Sequence, residues 1–339
     1  MHTETARRLF LGNNAVSLLS EERRRSDHGI TPTMSVLIAT KNRPHDLAEA
    51  VRSVLEQTQL PSELIILDQS DGDFGEYLVE QEFAATSEDV RKTVNLHHII
   101  DPSVPGLAPA RNRLLDVAAG SILLFIDDDA YLEPDFIKQI LACYADREDL
   151  VGVSGIITNY TRPEWTSRLW PSIFARGPFH DERQPIYWSA ERLRGTDPIR
   201  VRKFTGASMS FRADAIRDLR FDANLTGVSL AEDIDFCATL RGRPLMIAPR
   251  ARLAHNKSPI NRDRDHWLRE HAQAAHYLYR KHWKRGLRNR LCFLWLHVGY
   301  LSALPLACLR RMSLEPWRAF CTGARRGAEL TSGRKNFTV

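Results

Sequence analysis

The stretch Ser121-Ile122-Leu123-Leu124-Phe125-Ile126-Asp127-Asp128-Asp129 decides the fold. Its five consecutive apolar residues predict a strand that is buried on both faces of a sheet. Three carboxylates follow directly, and ionised carboxylates tolerate burial only when they are paired or bound to a metal. Mg²⁺ or Mn²⁺ would offset this charge, and such a cation usually brings a diphosphate with it. The alternative is an acidic turn, in which Asp129 or Glu133 serves a helix that starts near Pro134.

Apolar runs and helical patterns alternate on the N-terminal side of this stretch. Strands are predicted at 34–40, 64–67 and 94–100, with amphipathic helices between them. The alternation predicts an α/β fold with a parallel, doubly wound sheet. Because ligands of such sheets bind beyond the carboxyl ends of the strands, we expect the site at that edge. The polar residues at these strand ends are Thr40, Lys41, Arg43, Asp68, Asp127 and Asp129.

The second half of the chain is less regular. The segment 161–200 is rich in Pro, Trp and Arg, and we interpret it as a long functional loop. A strand at 204–211 begins with small residues, as if another group approached it closely. A helix is predicted at 231–241, and its first turn contains several acids, which also serve helix dipoles and caps. A last strand is predicted at 244–254.

Composition restricts the class of protein. The 339 residues are 43% hydrophobic and 26% charged, which is typical of a folded soluble protein. Five cysteines without a CxxC pair indicate reduced thiols in a cytosolic protein. The polar segment 1–30 predicts a flexible arm with a short helix and no signal peptide. Neither GxGxxG nor GxxxxGK[ST] occurs, so the dinucleotide fingerprint and the P-loop are both excluded.

The C-terminal region is basic and contains an apolar run. Residues 261–339 carry 16 Lys and Arg against 5 Asp and Glu, whereas the first 260 residues have a net charge of −6. Residues 291–309 contain no charged side chain, and Lys or Arg flank the run on both sides. Positive charge at both ends disfavours a simple membrane crossing. We expect a helix or bent hairpin in the interface of an anionic membrane, with a spanning helix or a buried helix as alternatives.

Six motifs and a late histidine, in this order, resemble those of family 2 glycosyltransferases of the GT-A fold, over roughly residues 34–258. The first two, Thr40-Lys41-Asn42-Arg43 and Asp68-Gln69-Ser70, each follow a predicted strand. The third, Ala110-Arg111-Asn112, lies in a helix predicted at 108–119. The family's metal-binding DXD motif corresponds to Asp127-Asp128-Asp129. An acceptor-side strand corresponds to Thr205-Gly206-Ala207, and the Glu-Asp pair near the acceptor corresponds to Glu232-Asp233. A late histidine corresponds to His255.

The resemblance implies a Rossmann-like, mostly parallel sheet with helices on both faces and a metal-dependent sugar transfer with inversion. Asp233 would be the catalytic base, and Asp127, Asp129 and His255 would hold Mg²⁺ or Mn²⁺. The donor, a nucleotide-diphospho-sugar, would contact Thr40, Arg43, Asp68, Arg111, Asp127 and Asp128. Gly206, Ala207 and Glu232 would lie on the side of a glycan or lipid-linked acceptor. The pathway implied is polysaccharide or glycolipid assembly by a cytoplasmic enzyme, peripheral on the inner face of the cell membrane.

Two other functions compete with this interpretation. A nucleotidyltransferase also pairs carboxylates on Mg²⁺, but it needs a basic, glycine-rich loop after the first strand, which 40–44 does not provide. A non-catalytic nucleotide-sugar-binding protein is disfavoured by the intact Asp127, Asp129 and Asp233. We expect no nucleic-acid partner, because no recognised module is present. The predicted organisation is an arm at 1–30, a GT-A domain at 31–260 and a basic helical region at 261–339.

Overall fold

A computed structural model describes residues 32–145, 147–160, 165–181, 197–225, 230–256 and 264–332. The predicted arm at 1–30 lies outside these residues. The chain divides into two compact units. The first contains the described residues of 1–160 and 185–257, and the second contains those of 161–184 and 258–339.

The first unit is built on one nine-stranded sheet. Its strands in chain order are β1 Met34–Thr40, β2 Glu63–Asp68, β3 Asn95–Ile100, β4 Ile122–Asp127, β5 Ala130–Leu132, β6 Gly152–Ile157, β7 Ile199–Val201, β8 Ser208–Arg212 and β9 Leu245–His255. Their spatial order is β3-β2-β1-β4-β8-β6-β9-β5, and β7 pairs with β9. The predicted α/β class is confirmed.

The sheet changes direction next to β4. Strands β3, β2, β1 and β4 are parallel, so Thr40 pairs with Asp68 and Ala39 pairs with Asp127. Beyond β4 the sheet is mixed, because β8 runs antiparallel to both β4 and β6, and β6 is parallel to β9. The carboxyl ends of β1, β2 and β4 therefore meet the beginning of β8 at one edge.

Helices cover both faces of this sheet. They are α1 Pro44–Leu55, α2 Phe74–Ala85, α3 Glu88–Thr93, α4 Leu107–Val117, α5 Phe136–Ala145 and α7 Glu232–Thr239. Alternate residues of β4 divide between two apolar clusters, with Leu124 and Ile126 in one and Leu123 and Phe125 in the other. Because both sides of β4 are packed, its continuous apolar run is explained by burial on two faces.

The second unit is helical. It contains α6 Trp165–Phe174, α8 Arg264–Leu278, a π-helical turn at Tyr279–Trp283, α9 Leu287–Arg311 and α10 Glu315–Leu330. The side chains of 165–168 and 264–267 are outside the description. In the part of the chain that the structure covers, α9 is the one helix long and apolar enough to cross a membrane by length and composition.

Two local expectations were wrong. The segment 161–200 is not one long loop, because α6 and β7 lie within it. Helix α5 begins at Phe136 and not near Pro134, because Glu133 stays extended after β5, where its amide donates to Arg252 O at 2.9 Å.

Candidate active site

The last carboxylate of β4, a second carboxylate just after it and one imidazole at the end of β9 lie together. Strand β5 pairs antiparallel with β9, which places Ala130 opposite His255, and the Asn256 amide donates to Asp129 O. The Nε2 atom of His255 is 2.9 Å from Asp129 Oδ1 and 3.9 Å from Asp127 Oδ2. One ligand atom from each of these three side chains falls within 4.8 Å of the others. Carboxylate oxygens with one imidazole suit a divalent cation, so the donor set fits the predicted metal.

The middle carboxylate of the triplet turns away from this group, toward β1. Asp128 accepts a hydrogen bond from Thr40 Oγ1 at 2.7 Å, and Arg43 Nη1 lies 3.1 Å from its other oxygen. The same guanidinium nitrogen is 3.6 Å from Asp129 Oδ2. Burial raises the pKa of the Asp128 carboxyl to about 7, although Arg43 and Thr40 oppose the rise. Arg43 therefore joins the end of β1 to the acidic turn.

Asp68 ends β2 in a buried position beside a histidine. Its Oδ1 accepts from the Ser70 amide at 2.9 Å, and His98 Nε2 lies 3.6 Å from its Oδ2. Burial would raise the pKa of Asp68, but the nearby His98 imidazole and the hydrogen bonding with Ser70 outweigh burial and lower that pKa. Gln69 instead donates to Val104 O at 2.6 Å, which ties the end of β2 to the loop before α4.

Arg111 of α4 connects the two halves of the site. Its side chain is 2% exposed and contacts Glu232 Oε1 at 2.5 Å and Asp127 Oδ1 at 2.9 Å. It also donates to Gly206 O at 3.1 Å, and its guanidinium carbon lies 5.5 Å from the centre of the Phe221 ring. The guanidinium is thus engaged on both sides by protein carboxylates. Burial raises the pKa of the Glu232 carboxyl, and Arg111 opposes this rise.

The small residues before β8 allow Arg111 and Glu232 to lie close to the backbone of that segment. A Cβ atom at position 206 would lie 3.2 Å from Glu232 Oε1 and 3.3 Å from Arg111 Nη2. Those distances are tighter than ordinary van der Waals contact, so glycine lets the buried pair lie against the backbone. The Asp127 amide donates to Ala207 O at 3.4 Å, which joins the end of β4 to the same segment.

Asp233 lies in the first turn of α7 and is oriented by two backbone amides. Gly206 N donates to its Oδ2 at 2.9 Å, and Ile234 N donates to its Oδ1 at 2.7 Å. The preceding Ala231 has a positive φ of 75°, an uncommon conformation for a residue with a Cβ. Asp233 and its neighbour Glu232 are both buried, at 7% and 6% exposure. Asp233 also bonds to the backbone of Gly206, outside its own helix. A first-turn acid that only served the helix dipole or cap would not need this contact.

The structure thus brings all the predicted site residues of the first unit to one edge of the sheet. His98 was not anticipated from the sequence, and Asn112 was quoted only as part of a motif, without a role. His98 approaches Asp68 from β3, and Asn112 exchanges two hydrogen bonds of 2.8 Å with the Phe221 backbone, which holds the loop beside Arg111. The parallel register of β2 with β3 could have indicated His98, but the pattern of residues 95–100 does not distinguish it from its neighbour His97.

Comparison with known proteins supports the same family. A family model described as Glycosyl transferase family 2 matches residues 35–218, more than half of the chain. The chain is 28% identical over 197 residues to a Haloferax volcanii protein named glucosyl-dolichyl phosphate glucuronosyltransferase, covering 56% of each. It is 31% identical over 161 residues to the putative glycosyltransferase EpsH of Bacillus subtilis, covering 47% of this chain and 43% of EpsH. The chain spans about half the length of these curated relatives.

Solved structures share the fold. The mannosyltransferase PcManGT from Pyrobaculum calidifontis, in complex with GDP-Man and Mn²⁺, has a TM-score of 0.53 at 16% identity, covering 95% of this chain and 96% of its own. S. aureus TarS has a TM-score of 0.54 at 16% identity, covering 89% and 82%. A second TarS structure, in complex with UDP-GlcNAc, has a TM-score of 0.53 at 14% identity. The predicted GT-A fold is confirmed, and at these identities the likenesses show the fold alone.

Proposed function

The chain belongs to glycosyl transferase family 2, and from that premise we propose a metal-dependent, inverting transfer of a sugar from a nucleotide-diphospho-sugar to an acceptor hydroxyl. One observation carries the proposal. The pair Asp127 and Asp129 with His255 lies on one side of Arg111, and Glu232 lies on its other side next to Asp233. A group that neutralises a leaving diphosphate and a group that accepts a proton are both needed for this reaction, and the two carboxylate sets could supply them.

Asp127, Asp129 and His255 would hold the divalent cation, which we propose to be Mg²⁺ or Mn²⁺. When bound, it supplies Lewis-acid stabilisation of the leaving diphosphate. The mannosyltransferase PcManGT, which was solved with GDP-Man and Mn²⁺, shares the fold and supports this choice. The acidic residues around the turn outnumber the two nearby arginines, Arg43 and Arg111, so added positive charge would stabilise the site.

We propose that the donor nucleotide lies along the ends of β1 and β2. Asp68 is buried at the end of β2, and the Ser70 amide orients its carboxylate. A carboxylate held in this way could accept hydrogen bonds from the base or ribose of the donor. Arg43, whose side chain is 30% exposed, is the cation placed to meet a phosphate. Thr40 and Asp128 would set the position of Arg43 and of the turn.

Asp233 would act as the general base. In a single displacement, the acceptor oxygen forms a bond to the anomeric carbon while the bond from that carbon to the diphosphate oxygen breaks. The acceptor proton passes to Asp233, whose carboxylate is fixed by the amides of Gly206 and Ile234. Arg111 and Glu232 would act as positioning residues, because Arg111 is engaged by Asp127 and Glu232 and is too buried to be a simple surface contact for the donor.

We propose a glycan or lipid-linked acceptor and a role in polysaccharide or glycolipid assembly. The relative named glucosyl-dolichyl phosphate glucuronosyltransferase supports a lipid-linked acceptor. We also propose that the enzyme is cytoplasmic and peripheral on the inner face of the cell membrane. The catalytic domain would correspond to 31–260, and the basic helical region would begin near 261.

Thermal-shift measurements with UDP-, GDP- and dTDP-sugars, each with and without Mn²⁺, test the proposal. A ligand that binds only the folded state raises Tm, by mass action. We expect one nucleotide class to raise Tm with Mn²⁺ and much less without it, and slow release of the nucleoside diphosphate to follow. If no nucleotide-sugar raises Tm, or if pyrophosphate is released instead, the proposed glycosyl transfer is wrong.

A further inference from the structure

Helix α9 of the second unit has two unlike faces. Its inner face is committed to the unit itself, with Leu296, Gly299 and Leu304 buried. Trp170 Nε1 of α6 donates to Gly299 O at 3.0 Å. A Cβ atom at position 299 would overlap the Phe174 side chain, so glycine allows α6 to pack directly on the α9 backbone.

The outer face of α9 is a stripe of large apolar side chains. We define the apolar face of α9 as the residues Leu291, Leu294, Trp295, Val298, Leu301, Leu306 and Leu309, which are 44–68% exposed. At about 100° per residue they fall within less than half of the helix circumference. On α6, Ile173 is 44% exposed, and its carbonyl accepts a hydrogen bond from Trp295 Nε1 at 2.8 Å. A contiguous exposed patch of this kind marks an interaction surface.

The charges around the apolar face indicate the partner. Exposed Lys or Arg residues precede and follow it, namely Lys284, Arg285, Arg288, Arg290, Arg310 and Arg311. No Asp or Glu occurs between Glu270 and Glu315. The 44 residues between these two acids thus combine an apolar stripe with basic ends. They complement a partner that has an apolar interior and an anionic surface. A bilayer with anionic lipids has this arrangement.

The packing of α9 favours a helix parallel to the membrane over one that crosses it. On the inner face, His297 Nε2 lies 2.8 Å from His276 Nε2 of α8, and the Tyr300 ring lies 4.9 Å from that of Phe320 of α10. A crossing α9 would draw these neighbours into the hydrocarbon, together with Arg325 and Arg326, which are exposed on α10. Burial of such charges is expensive, whereas insertion of one apolar face is not.

We propose that the apolar face of α9 inserts into the interface of a bilayer that contains anionic lipid, with the helix axis parallel to the membrane plane. This inference rests on the proposed function in one respect, since it specifies how the enzyme reaches the membrane proposed above. Leu and Trp side chains would enter the acyl boundary, and the basic residues at both ends would contact lipid headgroups on the same side of the bilayer.

The test is co-sedimentation of the full chain with vesicles of phosphatidylcholine, with and without phosphatidylglycerol. Leu294→Glu with Leu301→Glu places two charges on the apolar face, and we expect vesicle binding to fall by more than about tenfold. Leu294→Met with Leu301→Met keeps the face apolar and should bind as the wild type does. Gln81→Glu with Ala84→Glu adds the same charge to exposed positions of α2 and should also keep binding.

Binding that requires phosphatidylglycerol, weakens with salt and is reversed by alkaline carbonate supports the proposal. Resistance to carbonate would show a crossing helix and overturn the parallel orientation. Equal binding by the Leu→Glu pair would also overturn the proposal. A third outcome would overturn it as well: the wild-type protein does not bind vesicles but forms a dimer in solution, and the Leu→Glu pair dissociates that dimer. The apolar face of α9 would then be an interface between two copies of the chain. Thermal shifts with nucleotide-sugars are measured on the same samples. A protein that binds a nucleotide-sugar but no vesicles would contradict the membrane proposal and leave the proposed function intact.

Discussion

At the scale of single residues, three consecutive carboxylates have three environments. Asp127 is held by Arg111, Asp128 by Thr40 and Arg43, and Asp129 lies beside the His255 imidazole. Their side chains diverge because β4 ends at Asp127 and the chain turns into β5 within three residues. Only the first and third carboxylates face the histidine, so substitutions in the triplet should have different consequences.

Asp129→Ala removes one of the three proposed metal ligands. We expect it to lower kcat by at least ~10²-fold, because stabilisation of the leaving diphosphate is lost, while Tm changes little. Isothermal titration with Mn²⁺ and a turnover assay measure the effect. Asp135→Ala, at an exposed position six residues further on, is the control and should keep activity. Full wild-type turnover in excess EDTA would contradict the metal requirement.

Asp128 should make the stability of the metal-free protein depend on pH. Because its folded-state pKa is about 7 against an ordinary value of 3.8, the folded chain keeps a proton that the unfolded chain has lost. The folded state then binds more protons, so the free energy of unfolding falls as pH rises between these values, by about 1–4 kcal/mol. Asp128→Asn should remove this part of the decline. Denaturant unfolding in EDTA at several pH values between about 4 and 7 measures the free energy of unfolding of both proteins. If it depends on pH equally in the wild type and in Asp128→Asn, Asp128 is not the group responsible.

Asp233→Asn tests the proposed base. We expect nucleotide-sugar binding to persist and kcat to fall by at least ~10²-fold, since an amide cannot accept the proton. Both carboxylate oxygens accept backbone amides, so the asparagine NH₂ group would face one donor, and a small loss of Tm is expected. Donor affinity from thermal shifts serves as the internal control. An unchanged kcat would show that Asp233 is not the base and that it only stabilises the first turn of α7.

At the scale of secondary-structure elements, the site is held together by one side chain of α4. Arg111 reaches the end of β4 through Asp127, the start of α7 through Glu232 and the segment before β8 through Gly206. Three elements far apart in sequence thus share one buried guanidinium. Arg111 would thus orient Asp127, one of the proposed metal ligands, and substitution of groups that orient metal ligands typically weakens metal affinity about 10–100-fold.

Arg111→Lys should therefore act on the metal more than on the fold. A lysine keeps the charge but cannot bridge Asp127 and Glu232 as the planar guanidinium does. We expect the apparent Mn²⁺ affinity to fall by about 10–100-fold and saturating Mn²⁺ to restore part of kcat. A residue that only stabilised the fold would lower Tm without this metal rescue. Arg113→Lys, two residues along the same helix, is the matched control.

At the scale of the whole molecule, chemistry and charge are divided between the two units. The carboxylate-rich site lies in the first unit, and the basic helices with the apolar face of α9 lie in the second. Catalysis and membrane binding should therefore be separable by substitution. We expect Asp129→Ala to bind vesicles normally, and the Leu294→Glu, Leu301→Glu pair to turn over a water-soluble acceptor normally. Loss of both properties in either variant would contradict this separation.

Local patterns were enough to predict the core of the fold. The apolar runs at 34–40, 64–67 and 122–126 are buried strands because both sheet faces are covered, and such runs are readable without knowledge of distant contacts. The order of strands and helices then placed Thr40, Asp68 and Asp127 at one edge, as the structure has them. Motif order alone indicated the family.

What the sequence by itself determined is therefore the α/β class, the edge of the sheet that carries the site and the glycosyltransferase family. Only the tertiary structure decided that Arg111 joins Asp127 to Glu232, that α6 packs with the C-terminal helices, and which face of α9 is exposed. The physical reason is range. Strand and helix patterns arise from neighbouring residues, whereas a buried ion pair across 121 positions and the choice of a covered face depend on long-range packing that no local pattern records.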